Sequence, residues 1–70
     1  MTIELSKEEK QAIVNQHIRS LLVNKYNVEI SLIEENSISP VNQSTITLLN
    51  NQVNYIDTKI NALQEELESL

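Results

Sequence analysis

The sequence predicts an all-α protein, an antiparallel two-helix hairpin that assembles into a helical bundle or ring. Three observations predict it. Apolar residues recur at alternating steps of three and four along Ile46, Leu49, Val53, Ile56, Ile60, Leu63, Leu67 and Leu70, the a/d seam of a coiled coil. A second row with the same step runs along Val14, Ile18, Leu21, Lys25, Val28 and Leu32. Between the two rows stands Pro40, the single proline of a chain without glycine.

Residues 1–5 read as a lead-in to a single domain, 1–70. Ser6 followed by Lys7-Glu8-Glu9 is a capping box, in which the Ser6 hydroxyl and the Glu9 carboxylate each take up the other residue's backbone amide. Glu8 and Glu9 also place negative charge in the first turn, where the helix dipole favours it. Helix 1 is therefore expected over 6–36, with nothing between Lys7 and Asn36 to break it. Beside its seam a second arc holds Leu22, Val23, Tyr26, Ile30 and Ile33. Seam and arc together cover roughly 220° of the helix, where a surface helix of a monomer needs only about 100°.

Asn36-Ser37-Ile38-Ser39-Pro40 is the break. The residue before a proline avoids the α region, so the turn is expected over 37–39. Ser39 serves as N-cap and Pro40 as the first helical residue of helix 2, expected over 40–70. Asn42 and Ser39 continue its register as polar residues at a frayed start. So short a turn folds the helices back antiparallel. With the turn centred there, Val14 is expected opposite Leu63, Ile18 opposite Ile60 and Leu21 opposite Ile56. Lys25 then meets Val53, Val28 meets Leu49 and Leu32 meets Ile46. The same folding is expected to bring Glu65, Glu66 and Glu68 beside Lys7 and Lys10, and Glu34 and Glu35 beside the start of helix 2. An unfolded-back alternative stays open: extension through Ser39 would give one long helix and a parallel coiled coil between chains.

Composition narrows function. At 70 residues the chain holds one small domain, and a globule of that size buries only ~60% of its unfolded surface and usually needs a staple or a partner. Cys is 0, which excludes disulfides and thiolate metal sites. Gly is 0, which excludes phosphate-cradling glycine loops. A net charge of −5, with the basic residues scattered, opposes a nucleic-acid backbone. No apolar run approaches the ~20 residues of a membrane span, and Met1-Thr2-Ile3-Glu4-Leu5 lacks the marks of a secretion signal.

His17 is the only histidine and has no HxxxH or HExxH partner, so it reads as a residue at the seam's solvent edge, not a base or ligand. Glu65, Glu66 and Glu68 diverge around a helix and read as a solvated end, not a Ca²⁺ site. Lys25 interrupts the seam; its stem packs while its ammonium reaches water, in preference to a role in fixing register. No catalytic, cofactor-binding or metal-binding residue is assigned. The assigned residues are the intrachain seam of Val14, Ile18, Leu21, Val28, Leu32, Ile46, Leu49, Val53, Ile56, Ile60 and Leu63, and a partner interface on two flanks. One flank is the arc of Leu22, Val23, Tyr26, Ile30 and Ile33; the other is the stripe of Val41, Leu48, Tyr55 and Ala62. A flank packed on the opposite flank of the next copy is a heterologous contact, which generates a ring or a bundle.

The expected function is thus non-enzymatic: a structural protein acting by helix–helix packing with itself or with a larger structural protein. Its rival is a cytoplasmic adaptor or small chaperone that offers an apolar flank to a client. Prefoldin subunits are antiparallel helical pairs, but they carry β-hairpin strands for which the turn here leaves no room. At Lys25-Tyr26-Asn27-Val28-Glu29-Ile30-Ser31-Leu32-Ile33-Glu34-Glu35-Asn36, together with the heptads after Pro40, the chain resembles short uncharacterised proteins of marine tailed bacteriophages. That resemblance implies a small multi-copy virion component, on a capsid, tail or fibre, and brings no functional residues with it.

Overall fold

The computed structural model describes residues 3–70; Met1 and Thr2 of the expected lead-in lie outside the described residues. Two helices, α1 (Lys7–Asn36) and α2 (Gln43–Ser69), pack along their lengths as a hairpin. No strand occurs among the described residues. The rod measures 63 × 18 × 15 Å, a shape with length but little interior.

α1 begins on a complete capping box. The Glu9 amide donates to Ser6 Oγ at 3.1 Å, and the Ser6 amide donates to Glu9 Oε1 at 3.0 Å. Those bonds favour the charged carboxylate, so the Glu9 carboxyl is held below its ordinary value, chiefly by the Ser6 backbone amide. At the other end no glycine is present to cap the helix, and polar side chains take over the orphan carbonyls. The Ser37 amide donates to the carbonyls of Ile33 and Glu34, both at 3.2 Å. Its hydroxyl donates to Glu34 O at 2.6 Å, and the Asn36 side-chain amide donates to Leu32 O at 2.8 Å. α1 therefore stops three residues short of Ser39, with the carbonyls of Leu32, Ile33 and Glu34 taken up locally.

The start of α2 differs from expectation. The turn covers 37–42, not 37–39, and the helix starts at Gln43, not Pro40. Asn42, in extended geometry, is the N-cap; its Oδ1 accepts from the Thr45 amide at 3.2 Å. Asn is as good a cap as Ser, so Asn42 competes with Ser39 on equal terms. Packed helix axes lie 8–10 Å apart, and the longer turn crosses that gap while still reversing direction.

Three extra turn residues shift the register by about one layer. Lys25 pairs with Asp57, one helical turn beyond the expected Val53. Leu21 shares a cleft with Leu63, and Val28 shares one with Ile56. Carried along both helices, this offset sets Ile18 against Leu63, Leu21 against Ile60, Val28 against Val53 and Leu32 against Leu49. These four layers still match, because a slip of one layer in a heptad row returns apolar residues to apolar residues, while Ile46 comes level with Glu35 and Ile56 with Lys25, both half-buried. The ends do not match in the same way. α2 finishes near the level of Gln11, leaving residues 3–10 exposed, so Lys7 and Lys10 overhang the end of α2. Among the described residues no ion pair joins them to Glu65, Glu66 or Glu68, and none joins Glu34 or Glu35 to α2.

Candidate interaction surface

The seam divides unequally between the helices. Ile46, Ile56 and Ile60 of α2 are buried, whereas α1 buries none of its residues fully. Val14, Ile18, Leu21, Lys25, Val28 and Leu32 are half-buried, as are Leu49, Val53, Leu63, Leu67 and Leu70. Each helix thus faces the other with its three-four row. One partner leaves every seam residue of α1 partly exposed.

Lys25 does not simply extend into water. Its ammonium lies 2.8 Å from Asp57 Oδ1, at an edge where the two side chains remain 30% and 44% exposed. The hydrogen bond that the ammonium donates to Asp57 raises the Lys25 value above its ordinary range. At that exposure the pair contributes little to stability, but it occupies one register only. Asp57 carried no signal in the sequence, since it becomes the neighbour of Lys25 only once the turn is six residues long.

The flanks are exposed and different in form. Leu22, Val23, Tyr26 and Ile33 are all at least half exposed, and Ile30 is somewhat more covered. At 100° per residue they lie on one side of the α1 seam, and they form a ridge over three turns. His17, Ser20 and Asn24 lie on the other side, where the hairpin has a hollow instead. An open cleft of about 510 Å³ there has Leu21 and Leu63 as its floor. The exposed residues His17, Ser20, Asn24, Lys59 and Ala62 complete its lining, with Ser20 and Ala62 the small ones. A shallower cleft of about 330 Å³ adjoins it, lined by Val28, Gln52, Tyr55 and Ile56, with Asn24 and Lys59 common to both. Tyr55, at 70% exposed, stands at this second cleft, and Leu48 (61%) and Val41 (43%) continue its stripe toward the turn. The two flanks assigned from sequence therefore lie on opposite faces. The trough between the helices, lined in part by Ser20 and Ala62, was not anticipated; two small residues on facing flanks were its only trace in the sequence.

No protein-family model, curated protein or solved structure matches the chain. The surface is therefore characterised by its own chemistry. No group of three or more His, Asp or Glu side chains positioned to hold a metal ion occurs among the described residues, and none of their helices is long and apolar enough to cross a membrane. What the surface has in quantity is exposed hydrocarbon. The chain exposes 5599 Å², whereas a compact monomer of 8.0 kDa is expected to expose about 4,500 Å². The difference, about 1,100 Å² of polar and apolar surface together, reflects the 63 × 18 × 15 Å rod shape.

Proposed function

We propose that the protein is a non-enzymatic structural subunit that works by assembling, through helix–helix packing, with further copies of itself. The observation that carries this reading is an imbalance: three apolar residues are buried, while twelve large apolar side chains stay exposed among the described residues. Exposed apolar side chains grouped together, as in the α1 ridge of Leu22, Val23, Tyr26, Ile30 and Ile33, mark an interaction site, and an α1 apolar over most of its circumference calls for more than one neighbour. The finer form of the proposal is a multi-copy virion component of a tailed phage. It is supported by the resemblance of residues 25–36 and by the economy of building a large assembly from copies of a 70-residue chain.

Sedimentation equilibrium of the purified chain, with helicity followed by circular dichroism across the same dilutions, tests the assembly. The expected result is a small fixed multiple with high helicity that falls on dilution. A fully helical monomer at every concentration refutes self-assembly and favours an adaptor whose flanks await another protein. For the virion role, the chain is expected to remain with purified particles of the phage that encodes it at a constant copy number. Its loss during particle purification refutes that role.

A further inference from the structure

We propose that the trough between α1 and α2 receives the apolar α1 ridge of a second copy of the chain. This rests on the self-assembly reading and gives that assembly its geometry. Length is the first argument. The two clefts share Asn24 and Lys59 and so form one trough, which runs from His17 to Val28 on α1. The ridge runs from Leu22 to Ile33. Each covers the same number of residues, about 16 Å at 1.5 Å per residue.

Shape is the second argument. Ser20 and Ala62 are small and leave the trough open over an apolar floor. Tyr26 and Ile33, each 65% exposed, project from the ridge. Large side chains entering a gap between small ones is the knob-and-hole relation by which helices pack. Charge is the third. The trough carries Lys59 and no carboxylate among its lining residues, and Glu29 and Glu34 border the ridge. Two troughs placed face to face would set Lys59 near its own symmetry mate, and two ridges face to face would leave both troughs open. Ridge in trough covers both surfaces of every chain in the array.

Ridge and trough lie on opposite faces of each hairpin, so the contact is heterologous. Every docked copy presents a fresh ridge or trough, and the array closes as a ring or continues as a filament.

Complementation of two variants tests this. Tyr26→Glu spoils the ridge and leaves the trough intact; Ala62→Arg does the reverse. Both positions are exposed and off the seam, and circular dichroism checks that each variant is as helical as the wild-type chain diluted to its monomer. Ile33→Glu replaces Tyr26→Glu if that chain does not fold. The expected result is a wild-type multimer, each variant alone monomeric with self-association weakened at least tenfold, and a dimer in the equimolar mixture. That dimer joins the intact ridge of one variant to the intact trough of the other. A mixture that stays monomeric, or an A62R chain that assembles like wild type, overturns the proposal. If A62R assembles and Y26E does not, the ridges pair with each other. A wild-type chain that is itself a helical monomer refutes the self-assembly reading instead, so the two failures are told apart.

Discussion

The contrast between seam and ridge makes a quantitative prediction. Ile56 is 6% exposed and Leu22 is 50% exposed, yet truncation of either to Ala removes three carbons. At about 0.8 kcal/mol per buried methylene, full burial makes Ile56→Ala cost about 2.4 kcal/mol. The added cavity term is small, because Ile56 borders the open cleft and water can fill the space, so the total stays near the low end of the ~2–5 kcal/mol seen for such truncations. Leu22→Ala loses about half as much, ~1.2 kcal/mol, in the isolated hairpin. Association adds a second term, since copies that bind the folded form stabilise it by up to ~1.4 kcal/mol per tenfold rise in concentration above the dissociation constant. Urea unfolding followed by circular dichroism, at two concentrations about a hundredfold apart, separates the terms. Ile56→Ala should lower stability by the same amount at both. Leu22→Ala should cost about 1 kcal/mol when dilute and about twice that when concentrated, as the exposed half of the side chain enters an interface. Equal costs for the two variants in dilute solution, or a cost below ~1 kcal/mol for Ile56→Ala, would show that the three-four seam is not the core.

Three further outcomes follow from the helix ends and the ion pair. Asn42→Ala should destabilise the hairpin by about 1 kcal/mol, the usual cost of a lost N-cap, while Ser39→Ala should fall within ~0.5 kcal/mol of wild type; thermal unfolding of both variants reads the difference, and the reverse order would restore the helix start at Pro40. Because the Lys25 value is raised by Asp57, the pair's contribution is present below the ordinary lysine value of 10.5 and is lost as pH rises through the higher folded value. Asp57→Asn should therefore lower the melting temperature slightly near neutrality, and the gap to wild type should close in strong alkali or high salt. The Glu9 value is lowered, so its contribution is present above the ordinary 4.5 and is lost as pH falls through the lower folded value. By NMR the Ser6 amide shift should titrate with a midpoint below 4.5, and Glu9→Gln should abolish that titration while keeping the cap.

The fold was legible because a three-four row on each side of a proline admits few packings, and Ser6 with Glu9 marks a helix start by chemistry alone. The side that each residue shows to its partner was legible for the same reason: it depends on 100° steps within one helix. Register was a different kind of quantity. It depends on how many residues the turn consumes, and Ser39-Pro40 and Asn42 offer two helix starts three residues apart. A heptad row hides the resulting slip, since Leu21 finds an isoleucine whether it meets Ile56 or Ile60. Only the polar residues record it, in the pairing of Lys25 with Asp57 and in the overhang of Lys7 and Lys10. The trough was illegible for a related reason, because it exists between the helices and its small lining residues, Ser20 and Ala62, come together only in the true register.

That slip bears on what the protein does. In the expected register the charged ends of the two helices would have compensated one another, and the hairpin would have been more nearly self-contained. In the observed one, the acidic end of α2 stays unpaired with Lys7 and Lys10 among the described residues, and residues 3–10 extend past it. The chain keeps a continuous seam while leaving one face ridged, the other hollowed and one end overhanging. A lone two-helix rod of this kind has no interior to hold further apolar side chains, since three isoleucines already exhaust its buried core. The self-assembly proposed above would add burial that the hairpin by itself does not reach, and the ridge and the trough are where it would be gained.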